Sequence, residues 1–394
     1  MSKIVHIMLA GPVTDGWTYQ DNLLTKYHRR LGYEVTIITS QWVWGENGKL
    51  VKFEKTDYIN ENDVKVIRLP INGKDEFPRK FKKYYGLYTA IESEKPDIFF
   101  IHGVSFADLK TVVRYIRSHS DVRVYVDNHS DFSNSGTNWL SRNVLHKIIW
   151  KHNAQMILPY TEKFYGVLPA RVDWLVDMYG LPQNKCELLV MGGDDEEVKK
   201  AKDETSISKL RRKYHIEEDD FLIVTGGKID SAKKQTLLLM KAVKKIQDKK
   251  IRLIVFGSVE EMLKKEVESL SDGNKVQYIG WIKGSDSYQC FAAADLVVFP
   301  GRHSVFWEQV AAMGIPMICK YWDGTTHVDG GGNVVFFKED SVESIVASIR
   351  TVIDQANYEK MKQAAKQNAE HFCYSQIARQ SLRTEKLNDQ HKEN

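Results

Sequence analysis

Short apolar runs alternate with amphipathic segments along almost the whole chain. In the first half, the runs that we interpret as strands are KIVHIML, EVTIIT, VKVIRL, DIFFIHG, VRVYVDN, AQMILPY and CELLVMGG. The pattern restarts in the second half with FLIVTGG, RLIVFGS, VQYIG, DLVVFPG, PMICK and NVVFF. Strands separated by helical segments are typical of a parallel sheet covered on both faces. The predicted fold class is therefore α/β, with two doubly wound domains.

An acidic and then basic stretch at 192–206 separates the two halves and is the best candidate for a linker. We therefore expect an N-terminal domain over 1–198 and a C-terminal domain over 199–366. The polar segment 367–394 predicts a helical tail that could pack back on the first domain. Ligands of open α/β sheets bind beyond the carboxyl ends of the strands, so two facing sheets would place a site in the cleft between them.

Composition limits the class of protein further. With 42% hydrophobic and 27% charged residues, the 394-residue chain is typical of a soluble globular protein. It has no run of 18 apolar residues long enough to span a membrane, and SKIVHIMLAG reads as a first strand rather than a signal peptide. The four cysteines are widely spaced, which predicts reduced thiols and a cytoplasmic protein. A net charge of +4 is too small to indicate nucleic acid as a partner.

One strand end in the second half carries glycines followed by lysines. Gly227 ends the run IVTGG, Lys228 follows it, and Lys233 and Lys234 stand where an amphipathic helix begins. Lysines at a helix N-terminus oppose the helix dipole unless an anion binds there as well. The pattern predicts an anion site, and a solvated basic turn is the alternative.

A second strand end, FPGRHSVFWEQ, has the same organisation. Its loop residues are Gly301, Arg302, His303, Ser304 and Val305. Amides at the start of the following helix could hold a phosphate. Glu308, one turn into that helix, could accept hydroxyl groups of a ribose or could simply stabilise the helix terminus.

These motifs, in this order, resemble those of retaining glycosyltransferases with the GT-B fold, specifically glycosyltransferase family 4. The resemblance rests on GGKIDSAKKQTLLLMKA, RLIVFGS, VQYIGWIKGSDSYQCFAAADLVVFPG and WEQVAAMGIPMI in the second half. In the first half it rests on HIMLAGPVTDGWTYQDNLLTKYHRRLGYEVTIIT and YGLPQNKCELLVMGGDD. It implies two Rossmann-like domains facing across a cleft, the first binding an acceptor and the second a nucleoside diphosphate sugar.

The resemblance also implies roles for individual residues. Lys228 stands where the family has an arginine on the donor diphosphate, and Lys234 fits its partner lysine better than Lys233. Glu308 matches the second glutamate of a Glu-x7-Glu element, which binds the ribose. The first glutamate is absent, because the position eight residues earlier is Pro300. Its contacts with the donor sugar would then have to be made by the side chains of residues 302–304 or by nearby amides.

In the first half, the resemblance assigns two residues to the transferred sugar. Gly16 lets a strand-to-helix loop pass beneath it, and His129 matches a strand-end histidine near the reacting carbon. The candidates for acceptor binding are Asp15, Tyr19, Gln20, Asp21 and His102. For Asp15 the alternative is a helix cap, and for His102 it is packing in the core.

The expected chemistry needs no metal and no cofactor beyond the nucleoside diphosphate sugar. The sequence contains no G-x-S-x-G, H-E-x-x-H or strand-end D-x-D pattern. Lys228, Lys234 and the amides near Ser304 would stabilise the leaving diphosphate. The family resemblance implies attack by the acceptor hydroxyl from the same face, which gives retention, with a departing phosphate oxygen as the base.

The segment DEFPRKFKKYYGLYTAIE interleaves basic and aromatic residues, and a helix near 78–91 could lie on an anionic membrane. The alternative is a solvated helix with its aromatic side chains packed inward. A membrane location would favour a lipid-linked saccharide acceptor on the inner face of the plasma membrane. Two other functions remain open, a nucleotide-sugar-binding protein with weakened catalysis and another GT-B enzyme such as a sugar-nucleotide epimerase. A dinucleotide oxidoreductase is disfavoured because G-x-G-x-x-G is missing.

Overall fold

The structure, a computed structural model, describes residues 2–45, 49–72, 81, 83–231 and 233–383. These residues form two compact units. Unit 1 contains the described residues of Met1–Val190 and those from Ile377 onward, and unit 2 is Met191–Gln376. The boundary expected after residue 198 falls inside the helix Asp195–Ala201 of unit 2.

Unit 1 is built on an eight-stranded sheet with the order β12-β11-β10-β9-β1-β2-β6-β5. All neighbours are parallel except β5 and β6, and two antiparallel ribbons, β3–β4 and β7–β8, lie apart from the sheet. The strands are β1 Lys3–Met8, β2 Glu34–Ser40, β3 Trp42–Trp44, β4 Leu50–Lys52, β5 Asp57–Ile59, β6 Lys65–Leu69, β7 Ile71–Asn72, β8 Lys83–Tyr84, β9 Ile98–His102, β10 Arg123–Asn128, β11 Lys163–Gly166 and β12 Cys186–Leu188.

The helices of unit 1 cover both faces of this sheet, which is why its central strands are apolar almost throughout. They are α1 Gln20–Arg30, α2 Leu87–Glu94, α3 Leu109–Ser118, a π-helix Ser141–Trp150, α4 Lys151–Ile157 and α5 Pro169–Asp177, with 3₁₀ turns at Leu158–Tyr160 and Gln183–Lys185. Strand β1 pairs with β2 on one side and with β9 on the other. The loops that follow β1 and β9 therefore diverge, and such a switch point opens a crevice at the carboxyl edge of the sheet.

Unit 2 contains a six-stranded parallel sheet with the order β15-β14-β13-β16-β17-β18. Its strands are β13 Phe221–Gly226, β14 Ile251–Phe256, β15 Val276–Tyr278, β16 Leu296–Phe299, β17 Met317–Lys320 and β18 Val334–Phe337. Its helices are α6 Asp195–Ala201, α7 Glu204–Lys213, α8 Gln235–Lys245, α9 Glu261–Leu270, α10 Gly284–Ala292, α11 Phe306–Met313, α12 Val342–Ile353 and α13 Gln355–Asn368, with 3₁₀ turns at Thr326–Val328 and Ala369–Phe372. Here β13 lies between β14 and β16, so the switch point falls at the ends of β13 and β16.

The apolar run AQMILPY was wrongly predicted to be a strand. It lies in α4 and the following 3₁₀ turn, and the strand on that side of the sheet is the shorter run KFYG of β11. Trp150, Ala154 and Ile157 are all buried at spacings of four and three, which is the spacing of one face of a helix. A short apolar run does not distinguish these two cases by itself.

The predicted basic and aromatic helix near 78–91 is only partly within the described residues, because 73–80 and 82 lie outside them. Lys83–Tyr84 form a strand that pairs with Ile71–Asn72, so this part of the prediction is wrong. Gly86, with φ +75°, ends the extended backbone, and α2 begins only at Leu87. None of the helices in the described part of the chain combines the length and apolar character of a membrane span.

The C-terminal segment is shared between the units. Helix α13 and the turn Ala369–Phe372 lie in unit 2, whereas α14, Tyr374–Ser381, enters unit 1 at Ile377. Within unit 1, Ser381 Oγ lies 2.8 Å from His28 Nε2, and the Arg123 guanidinium donates to Leu382 O at 3.2 Å.

Candidate functional site

A cavity of about 280 Å³ lies at the switch point of the unit 1 sheet. Its walls come from the loop after β1, from α1 and from the ends of β9 and β10. The polar side chains that reach it include Asp21, His102 and His129. Three of the side chains proposed from the sequence therefore meet at one cavity.

Asp127, the penultimate residue of β10, lies behind these histidines and is buried. Its Oδ2 is 2.9 Å from His102 Nδ1 and 3.4 Å from His129 Nε2. Burial alone would raise the pKa of Asp127, but the charges of His102 and His129 and their hydrogen bonds hold it well below its usual range. Asp127 is therefore a buried carboxylate that orients two imidazoles at the cavity.

The other candidates near α1 lie in different surroundings. Gln20 is buried and its Nε2 donates to Asp127 Oδ2 at 3.4 Å, whereas Tyr19 is exposed at the helix N-terminus. Asp15 does not cap α1, because it accepts from Tyr58 Oη and pairs with Arg68 at 3.4 Å. Those contacts fix the loop after β1 and use the oxygens that an acceptor would need.

The backbone conformation of the loop after β1 requires a glycine at position 16. Its φ of +75° lies in the left-handed region, and its amide donates to Glu61 Oε1 at 2.7 Å. A side chain at this position would meet open space within 4 Å, so the requirement is conformational rather than steric.

In unit 2, the loop after β13 passes very close to the loop after β14. Gly227 has φ +129° and Gly257 has φ +132°, and a Cβ on Gly257 would collide with the Gly227 carbonyl oxygen. Lys228 projects from this turn and pairs with Asp230 at 3.2 Å. Two glycines thus bring backbone and a cation to the carboxyl edge of the sheet.

Lys233 belongs to the cationic group at this edge. Burial lowers the pKa of Lys233, Asp230 opposes that effect, and the positive charges of Lys228 and Arg302 lower it further. A Cβ on Gly301 would lie 3.7 Å from the Lys233 side chain. Lys234, by contrast, is the exposed residue before α8. Its charge helps to lower the pKa of Asp340, and the role that sequence spacing gave to Lys234 stays a prediction.

The loop after β16 is held by Trp322. Its Nε1 donates to Gly301 O at 3.2 Å, and the Arg302 guanidinium lies 5.8 Å from the indole ring. Gln235 donates through Nε2 to Asp340 at 3.1 Å, while its buried Oε1 has no partner within the part of the chain that the structure describes. This unpartnered acceptor lies near Gly301 and is available to a ligand donor.

Glu308 has no exposed surface and sits between two imidazoles. His303 Nε2 and His327 Nε2 each lie 2.8 Å from its Oε1, and Oε2 has no partner among the described residues. Burial alone would raise its pKa, but the His303 charge and the hydrogen bonds from both histidines lower it strongly. Glu308 is therefore a buried carboxylate whose Oε1 is shared by two imidazoles, and its contact with ribose hydroxyls stays a prediction.

Ser304 and Val305 form the entry to α11. The amide of Trp307 donates to Ser304 O at 2.9 Å, and Val305 is the residue before the first helical position. His327 was missed from the sequence, because it lies 19 residues beyond Glu308 in a polar loop with no recognisable motif. Asp127 was noticed only as a neighbour of His129.

Among the residues that the structure describes, two groups have the residue types of a metal site, namely His102 with Asp127 and His129, and His303 with Glu308 and His327. In each group, one carboxylate oxygen faces two imidazole nitrogens at 2.8–3.4 Å. These distances fit N–H donors sharing one oxygen, and those bonds use the same nitrogens that a metal would need. The expectation of a metal-free site stays a prediction.

Two protein-family models match the chain. The model described as Glycosyl transferases group 1 matches residues 206–371, and the model described as Glycosyltransferase Family 4 matches residues 22–197. The chain therefore belongs to the GT-B glycosyltransferases of family 4, group 1. The GT-B fold and the family inferred from the motifs are thus confirmed.

Individual relatives are distant in sequence. Mannosylfructose-phosphate synthase of Agrobacterium fabrum is 21% identical over 79% of this chain and 72% of its own length. A glycosyltransferase structure from Rickettsia africae aligns with a TM-score of 0.69 at 15% identity, covering 97% of both chains. The Anabaena Alr3699/HepE structure in complex with UDP aligns with a TM-score of 0.66 at 14% identity, covering 98% of this chain and 99% of the other. At such identities the structural matches show the fold alone.

Proposed function

We propose that this glycosyltransferase moves a sugar, with retention of configuration, from a nucleoside diphosphate sugar to a saccharide or lipid-linked acceptor of a cell-surface polysaccharide or glycolipid. The observation that carries the proposal is the group of Lys228, Lys233 and Arg302 at the carboxyl edge of the unit 2 sheet. Three cations at a glycine-lined switch point favour a diphosphate as the ligand. The UDP-bound HepE structure has the same fold, which is consistent with such a donor.

The cationic group supplies what the reaction needs most. As the glycosidic bond lengthens, negative charge accumulates on the leaving diphosphate, and fixed positive charges stabilise it. Because Lys233 is partly buried, its charge acts through a medium less polar than water. Glu308 is proposed to orient His303 through Oε1 and to accept a ribose hydroxyl group at Oε2, which has no partner among the described residues.

The bond changes balance without a protein base. The sugar C1 loses its bond to the diphosphate oxygen and forms one to the acceptor oxygen on the same face. The acceptor proton passes to the departing phosphate oxygen, so the products are a glycoside and a nucleoside diphosphate. His129 is proposed to contact the transferred sugar, and its orientation by Asp127 suits a hydrogen-bonding role.

We assign the acceptor to unit 1. Its cavity, at about 280 Å³, is near the lower limit of about 300 Å³ for small-molecule pockets. Asp21, His102 and His129 provide the directional polar groups that recognise sugar hydroxyls. A cavity of this size would admit the acceptor's terminal sugar and leave the remainder outside.

An exposed apolar surface in unit 1 supports a membrane-bound acceptor. Trp139 and Leu140, just before the π-helix, and Ile148 within it are 72%, 58% and 62% exposed. Between Asp131 and Glu162 the chain has no acidic residue. The basic residues of this segment are Arg142, Lys147 and Lys151. Exposed aromatic groups beside cations fit an anionic lipid surface, with about 1 kcal/mol for each basic residue near the lipid.

Donor turnover tests the enzymatic part. Wild type, Lys233→Ala and the exposed-lysine control Lys264→Ala are incubated with a panel of nucleoside diphosphate sugars, and diphosphate release is measured. We expect release from at least one sugar, a loss of tenfold or more in Lys233→Ala, and no change in the control. NMR of the first product should show the anomeric configuration of the donor. Binding without release would instead favour a catalytically weakened binding protein, and 2-epimerised product would favour an epimerase.

Vesicle sedimentation tests the membrane part. Trp139→Ser with Ile148→Ser should lose binding to vesicles containing phosphatidylglycerol. Trp281→Ser, at an indole that is 69% exposed in unit 2, is the matched control and should keep it. Equal sedimentation of both variants, or no preference for anionic over neutral vesicles, would contradict peripheral attachment and leave the donor proposal standing. A cytoplasmic location on the inner face of the plasma membrane stays a prediction.

A further inference from the structure

A chain of buried imidazoles runs from the unit 1 cavity to the C-terminal helix. His102 Nε2 lies 2.9 Å from His6 Nδ1, and His6 Nε2 lies 3.0 Å from His28 Nδ1. His28 Nε2 lies 2.8 Å from Ser381 Oγ. At the other end, His102 Nδ1 lies 2.9 Å from Asp127 Oδ2. All five side chains are buried, and only His102 reaches the cavity wall.

The position of the proton on each ring follows from Ser381. Its hydroxyl donates its one proton to Ala378 O at 2.8 Å, because a carbonyl oxygen can only accept. The Ala378 carbonyl also accepts a hydrogen bond from His28, so we place the His28 proton on Nε2, the nitrogen that faces Ser381 in the same helix. A neutral His28 then accepts at Nδ1 from His6, and a neutral His6 accepts at Nδ1 from His102 Nε2. Each bond in the chain points away from the cavity.

The remaining nitrogen of His102 also carries a proton. Its Nδ1 faces Asp127 Oδ2 at 2.9 Å and Asp21 Oδ1 at 3.6 Å, away from the straight line of a good hydrogen bond. A bare lone pair facing two carboxylates would be repelled. Both nitrogens of His102 are then protonated, and its ring is a cation balanced by Asp127.

We propose that His102 is held as an imidazolium at the cavity wall, and that His6, His28 and Ser381 are positioning residues that fix its charge and orientation from the C-terminal helix. This assignment does not depend on the glycosyl transfer proposed above. It gives the C-terminal segment a defined electrostatic connection to a cavity that is not lined by any of its residues up to 383, the last one described. Without that connection, all the hydrogen bonds between these imidazoles could reverse their direction.

The electrostatic surroundings agree with this assignment. The pKa of His6 is lowered by burial and by the charges of His28 and His102, and burial lowers the pKa of His28 to about 3. Burial would also lower the pKa of His102, but the charge and hydrogen bond of Asp127 and the charge of Asp21 raise it above its ordinary value. His129 is the other titratable group of this cluster, and it shares Asp127 Oδ2 with His102.

NMR of protein labelled with ¹⁵N at histidine distinguishes bare from protonated ring nitrogens and tests the assignment directly. In wild type near neutral pH, His102 should have two protonated nitrogens, while His6 and His28 should both be neutral with the proton on Nε2. A neutral His102, or either of the other two rings protonated on Nδ1, would overturn the proposal. This NMR measurement requires no substrate.

Two substitutions test the hydrogen-bonded series of imidazoles at its two ends, Ser381 and Asp127. Ser381→Ala removes the last acceptor, so the midpoint of His102 titration should fall by about one pH unit or more, a tenfold change in its proton affinity. Asp127→Asn removes the balancing charge, so His102 should become neutral and keep one proton, on Nε2, while His28 keeps its proton on Nε2. Ser348→Ala, at a buried serine of unit 2 that donates to Ser344 O at 2.9 Å, is the matched control. A His102 ring that stays doubly protonated in Asp127→Asn would refute the assignment even if Ser381→Ala failed to fold.

Discussion

Replacing Glu308 with glutamine tests the claim that this residue is a buried carboxylate shared by two imidazoles. The substitution keeps the shape of the side chain and removes its charge. The amide oxygen can still accept from His303 and His327, but both bonds lose their charge assistance. The amide nitrogen then takes the place of Oε2, which has no partner among the described residues.

The expected loss of stability follows from these contacts. Weakening two charge-assisted bonds costs about 1 kcal/mol each, and a buried donor without a partner costs about 1–3 kcal/mol. The desolvation of the carboxylate, which no longer has to be overcome, offsets part of this. We therefore expect Glu308→Gln to destabilise unit 2 by about 2–3 kcal/mol near neutral pH.

The pH dependence gives a second and independent check. The pKa of Glu308 is lowered in the folded state, so its contribution is fully present above the unfolded value of 4.5 and is lost as the pH falls below it. The difference between wild type and Glu308→Gln should therefore shrink by about 1.4 kcal/mol for each pH unit below that value.

Hydrogen exchange of amides in β16 and β17, read by mass spectrometry, reports the opening free energy of unit 2 separately from unit 1. Glu359→Gln, at an exposed glutamate of α13 that pairs only loosely with Lys362 at 3.6 Å, should change it by less than about 0.5 kcal/mol. A Glu308→Gln effect no larger than this control, or one that is constant down to about pH 3.5, would refute the reasoning.

Three further substitutions test separate parts of the structure. Gly257→Ala should lower the thermal unfolding temperature strongly, by the equivalent of about 3 kcal/mol or more, because its Cβ would collide with Gly227 O at a positive φ. Gly301→Ala should leave that temperature nearly unchanged, since its Cβ meets only ordinary contacts. It should nevertheless raise the KM for the donor, because it places a methyl group beside Lys233. Asp131→Asn should cost about 2 kcal/mol in urea unfolding near pH 7 by leaving Arg171 unpaired; the pKa of Asp131 is lowered, so this cost should diminish below about pH 4.

Much of the fold could be predicted from the sequence because buried parallel strands are nearly continuous apolar runs. The six runs of the second half all contain strands of the unit 2 sheet. The prediction of a strand at AQMILPY failed because its buried positions have helical spacing. That spacing is visible only when Trp150, which precedes the run, is included. The strand at Lys83–Tyr84 was missed because its partner, Ile71–Asn72, lies outside any local pattern.

The proximity of the candidate site residues was predictable only where they lie at the carboxyl ends of neighbouring strands. His102 and His129 follow neighbouring strands, so the topology brings them together. The pairing of Glu308 with His327 depends on a 3₁₀ turn 19 residues away, and no periodicity indicates it. The partial burial of Lys233 beside Gly301 and the exposure of Lys234 are features of the fold that spacing does not determine.

Binding of nucleoside diphosphates to the carboxyl edge of the unit 2 sheet tests the central claim most directly. Isothermal titration of UDP, ADP and GDP, and of the corresponding nucleosides, is carried out with wild type, Lys233→Ala and Lys264→Ala. The account predicts that at least one diphosphate binds, that its nucleoside binds tenfold or more weakly, and that only Lys233→Ala loses this difference. Equal binding of diphosphate and nucleoside, or equal loss in both lysine variants, would contradict it.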